Sequence, residues 1–136
     1  MERSATTLTD WRRWLVRTGL LLAGVAVVLY VGISLAVASA VRAAGEAATR
    51  EFPGDRIAAL VAYADSSSHT LSERNRAVWA LGQLGDRRAL PVLEKYITGG
   101  KCRHDRELCQ HELAKAVRLC RGGSNLTAFL WRRGSL

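Results

Sequence analysis

Apolar positions fall into two regimes along the chain. From Thr18 to Val41 no residue is charged, and Leu, Val, Ala and Gly dominate. At about 1.5 Å per residue this run predicts one helix able to cross the roughly 30 Å hydrocarbon layer of a bilayer with some tilt. From Ser72 to Ile97 the pattern is amphipathic. Ala77, Ala80, Leu81 and Leu84 recur at i, i+3, i+4 and i+7, Gly85-Asp86 interrupts, and Leu90, Leu93 and Ile97 resume the period. Gly85 suits the left-handed end of one helix, and Asp86 suits the cap of the next. An αα-hairpin is the prediction.

The remaining segments also read as helices. Residues 42–54 are small, polar and Ala-rich and continue the first helix as a stalk or linker until Pro53-Gly54 breaks it. Asp55 caps a helix carrying Ile57, Leu60, Val61 and Ala64 on one face, and Thr70 with Glu73 has the capping-box spacing that opens the hairpin. Beyond Thr98-Gly99-Gly100, one helix from Asp105 to Cys120 would place Cys109, Leu113, Ala116, Val117 and Cys120 on a single stripe. Ser124-Asn125 caps a last short helix whose Leu126, Phe129, Leu130 and Trp131 close the stack. The fold class is all-α: a short stack of hairpins preceded by one transmembrane helix. The expected divisions are a cytoplasmic basic segment 1–17, a signal anchor 18–41, a stalk 42–54 and a helical domain 55–136.

The run AVWALGQLGDRRALPVL resembles a HEAT-type repeat of the short bacterial kind, with its Ala-Leu-Gly-x-Leu-Gly-Asp turn and a Pro early in the second helix. Gly82 fits physically, because Gly inside a helix costs about 1 kcal/mol against Ala and is tolerated where a neighbouring helix comes close. Pro91 fits the first turn of the second helix. The resemblance implies stacked helix pairs that present surfaces for binding. So small a stack is marginal by buried area alone, so a staple, closing aromatics or a docked partner must contribute.

Charge adds orientation. Arg3, Arg12, Arg13 and Arg17 precede the apolar run against Glu2 and Asp10, whereas Arg42 and Arg50 after it are balanced by Glu46 and Glu51. The basic flank stays in the cytoplasm, with Trp11 and Trp14 at that interface, so the domain is exported. Small residues at Ala36-Val37-Ala38-Ser39-Ala40 offer the alternative of cleavage and secretion. The net charge of +8 lies mostly after Val41. Export argues against nucleic acid and in favour of anionic lipid headgroups, acidic polymers or an acidic protein. The candidate interface residues are Trp79, Arg87, Arg88, Phe129 and Trp131.

Cys102, His104, Cys109, His111 and Glu112 form the densest chemical cluster. They lack the spacings of common zinc sites, and on one helix Cys109 and His111 would point about 160° apart. His111-Glu112 resembles the His-Glu pairs of HEAT-like deoxyhypusine hydroxylases, but one pair is not that pattern. Asn125-Leu126-Thr127 matches a glycosylation sequon and is read as a cap. No catalytic residue, cofactor or metal is expected. Exported thiols pair, and Cys109 and Cys120, about 16 Å apart on one helix, exceed the roughly 7 Å reach of a disulfide. The expected bond is Cys102 to Cys109, leaving Cys120 a buried thiol. Function is expected to be that of a single-pass membrane-anchored interaction module of the cell envelope. The alternative is a small metal- or thiol-dependent redox enzyme using Cys102, His104 and Cys109.

Overall fold

The computed structural model describes residues 3–128, with side chains from Trp11 onward. All regular structure among them is helical. Helix α1 (Arg3–Glu51) runs unbroken for 49 residues, about 73 Å. Up to Ile33 its apolar side chains face outward, Leu21 and Val28 each remaining 71% exposed. One helix is therefore long and apolar enough to cross a membrane.

The far half of α1 behaves differently. Ser34, Ala38, Val41, Gly45 and Ala48 are buried at alternating spacings of four and three, a seam of small residues against the rest of the protein. Residues 42–51 continue the helix as expected, yet they pack rather than stand free. The chain breaks at Pro53-Gly54.

Asp55 then caps α2 (Arg56–Asp65), accepting a 2.8 Å bond from the Ala58 N–H, and Ile57, Leu60 and Ala64 are buried as the periodicity implies. Helix α3 (Leu71–Leu84) opens with the capping box. The Glu73 N–H donates to Thr70 Oγ1 at 3.3 Å, and the Thr70 N–H donates to Glu73 Oε2 at 2.9 Å. It closes at Gly85, left-handed at φ 67°. Asp86 caps a 3-10 turn, Arg87–Ala89, before α4 (Leu90–Lys95), and this turn accounts for the distance between Asp86 and Pro91. Helix α4 stops short of Ile97, which is 39% exposed and not part of the core expected from its register.

Helix α5 (Gln110–Cys120) starts five residues later than the predicted Asp105, because residues 101–109 form turns. A 3-10 turn, Leu126–Ala128, follows. Central α3 is packed by α1, α2 and α5, while α4 packs against α5. The far half of α1 packs on both α2 and α3, which makes it part of the stack. Leu60, Leu81, Leu93 and Leu113 fill the core with no exposed surface. Area that the hairpin alone would lack is supplied by the long helix.

Side-chain ties lock the layers. Arg74 Nε donates to the Ala64 carbonyl at 2.8 Å, and Lys95 Nζ and the Tyr96 hydroxyl donate to Asp65 Oδ1 at 2.8 and 2.7 Å. Tyr63 of α2 stacks on His69 and meets the ring of Phe52 edge-on.

Candidate functional site

The turns of residues 98–109 are held from outside. Gln110 Oε1 accepts from the Thr98 N–H at 2.8 Å, its amide donates to the Tyr96 carbonyl at 3.1 Å, and Asn75 Oδ1 accepts from the Cys109 N–H at 2.9 Å. These bonds fold the segment back on the first turn of α5. Cys102 Sγ and Cys109 Sγ consequently lie 3.0 Å apart, both as thiols, and the His111 N–H donates to Cys102 Sγ at 3.2 Å.

His104 completes the cluster, with donor atoms of Cys102, His104 and Cys109 all within 4.8 Å of one another. His111 is exposed and offers this site its backbone only. His104 lies in the turns before α5, outside the helical argument that separates Cys109 from His111. The Cys109 thiol donating to Cys102, with the His111 N–H, lowers the Cys102 pKa, while burial first and then Cys102 raise that of Cys109. The first proton leaves Cys102. Two sulfurs and an imidazole so placed can join as a disulfide or hold a thiophilic ion with an open position.

Cys120 lies apart, 1% exposed, its Sγ 3.5 Å from the Leu81 carbonyl.

The predicted interface residues scatter. Arg88 is engaged internally, forking onto Asp86 (2.9 Å) and reaching Asp55, and both carboxylates hold its pKa high. Arg87 is exposed. Trp79 is half-buried in the wall of a groove of about 440 Å³ that also involves Val37, Leu119 and Leu126, with Lys115 and Arg118 on α5. Phe129 and Trp131 lie outside the described residues. A second groove, about 480 Å³, runs between α1, α2 and α3 over Ala43, Ala47 and Ala77, with Glu73 and Arg76 among its lining. Sequence reasoning singled out neither groove. The one available signal was Lys115 and Arg118 at i, i+3 beside the apolar stripe of α5.

No curated protein and no solved structure matches the chain. Residues 73–98 match the PBS lyase HEAT-like repeat, so the hairpin of α3 and α4 is similar to one such repeat.

Proposed function

We propose that the chain is a single-pass, membrane-anchored helical-repeat module whose exported domain docks another protein of the cell envelope. The observation that carries this reading is the seam of Ser34, Ala38, Val41 and Ala48, which joins the apolar helix to the repeat as one packed body. Cleavage after Ala40 would strip Ser34 and Ala38 from that seam, which favours the anchor over a secreted form. Orientation rests on Arg12, Arg13 and Arg17 before the apolar run. HEAT-like repeats mediate protein contacts through helix faces. The groove over Ala43, Ala47 and Ala77 combines an apolar floor with exposed Glu73 and Arg76, the anatomy of a docking surface.

In the exported compartment the Cys102–Cys109 pair closes to a disulfide. Each thiol gives up its hydrogen and the two electrons pass to an oxidising disulfide carrier. The 3.0 Å approach supports this over a shared tetrahedral zinc, on which two thiolates stand about 3.7 Å apart.

The test of docking is site-specific photo-crosslinking in intact cells. A crosslinker at Arg76 is expected to give one discrete adduct that the same group at Arg106, on the distant turns, does not. Identical adducts from both positions, or none from Arg76, would refute docking at this groove.

A further inference from the structure

The groove beside Trp79 lies at a defined height on the long helix. Counted from Thr18, the first residue after Arg17, the roughly 30 Å hydrocarbon layer takes about 20 residues and reaches Val37, with nearly continuous exposed apolar surface as far as Ile33. Val37, the α1 residue of the groove, lies at that limit. The Tyr30 hydroxyl, deeper by about two turns, donates to the Leu126 carbonyl at 2.7 Å, pinning the turn that bears Leu126 to the apolar half of α1. Leu126 is 82% exposed. At the edge of acyl chains its side chain would leave water for an apolar surrounding, which is favourable.

The groove is also cationic. Lys115 and Arg118 point along it one turn apart, and among the described residues neither is ion-paired. Among the described residues no acidic side chain lines it; Glu112 sits in the adjoining cleft with Lys115. Residues 129–136 carry Arg132 and Arg133 and no acidic side chain.

We infer that the groove of Val37, Trp79, Lys115, Arg118, Leu119 and Leu126 binds an anionic phospholipid of the outer leaflet. The phosphate lies against Lys115 and Arg118, and an acyl chain descends past Leu126 and Tyr30. Trp79 forms the amphipathic wall at the boundary, where indoles concentrate. This inference rests on the membrane-anchored reading, which the experiment tests separately.

Full-length protein is reconstituted in phosphatidylcholine vesicles, flotation is scored, and association of spin-labelled phosphatidylglycerol is compared with that of spin-labelled phosphatidylcholine. Wild type is expected to float and to prefer the anionic lipid. K115Q/R118Q is expected to float but lose roughly 5-fold in that preference for each cation removed. The charge-conserving K115R/R118K keeps it, separating charge from folding. An unchanged preference in K115Q/R118Q assigns it to the Arg residues before the span and overturns the inference. So does displacement of the labelled lipid by inorganic phosphate. Failure to float would overturn the membrane reading itself, and this inference with it.

Discussion

Replacing Gly82 by Ala sets two effects of opposite sign against each other. In a helix interior Ala is favoured over Gly by about 1 kcal/mol. A Cβ at position 82 would stand 2.8 Å from Ala116 Cα and 2.9 Å from its Cβ, about 1 Å inside ordinary carbon contact. The nearest obstacle is α5 backbone, so no rotamer change relieves it, and α5 must move away from a core containing Leu81, Leu113 and Val117. Overpacking of this kind costs about 1–3 kcal/mol, and a backbone obstacle at 2.8 Å puts this site in the upper half of that range. The net expectation is destabilisation by about 1–2 kcal/mol, a fall of roughly 5–10 °C in the melting temperature of a domain this size. Trp79 fluorescence and circular dichroism on the full chain in detergent would follow the transition. G82A/A116G removes one methyl and should recover part of the loss, while Ala116 Cα still limits it. G45A is the control, because the nearest atoms to its Cβ are Cγ, Cδ and Nε of the movable Arg56 side chain, and it should be neutral or slightly stabilising. A G82A protein melting at or above wild type would refute the close α3–α5 approach.

Three further outcomes follow. Thr70→Ala removes the side-chain half of the capping box on α3 and should cost about 1 kcal/mol, measured as a melting temperature lower by roughly 4–8 °C; no shift would mean that the cap is dispensable. Hydrogen bonds from Lys95 and Tyr96 lower the Asp65 pKa below its ordinary 3.8, so its stabilisation is present above that pH and fades as pH falls through the lower folded value. Asp65→Asn should flatten the acid limb of the stability profile below about pH 4, and an unchanged limb would contradict the pairing. Non-reducing peptide mapping of protein from the envelope should show Cys102 linked to Cys109, with Cys120 alkylated only after denaturation; both Cys102 and Cys109 free under oxidising conditions would rule the bond out.

The elements that sequence reasoning placed correctly are those decided locally. Asp55, Thr70 with Glu73, and Gly85 act within one turn of their own positions, and each makes the bond or adopts the conformation its spacing implied. Gly82 was also legible, since a glycine inside a helix implies a neighbour. Non-local contacts set the rest. The start of α5 is decided by Asn75 and Gln110, whose side chains take up backbone groups of residues 96–109 that a longer helix would have used internally. That same capture brings His104 to the two cysteines. Arg88 reads as a free surface cation because its ties depend on the turn that brings it back onto Asp86 and on Asp55, which is distant in sequence. The seam on α1 was hidden for another reason: Ser34, Ala38, Gly45 and Ala48 are small, and small residues look alike in a membrane span, a linker and a tight helix interface.

The central claim is that the repeat is held outside the cytoplasm by an uncleaved α1. Every lysine of the chain, Lys95, Lys101 and Lys115, lies after the apolar run, so one labelling measurement addresses both halves of it. Intact cells with access to the envelope are treated with a membrane-impermeant amine reagent, membranes are washed with carbonate, and the retained protein is analysed by intact mass and peptide mapping. The account predicts full-length protein in the membrane pellet, modified at exposed Lys101. Retained protein unlabelled at Lys101 would contradict the orientation, and labelled protein released from the membrane without residues 1–40 would contradict the anchor.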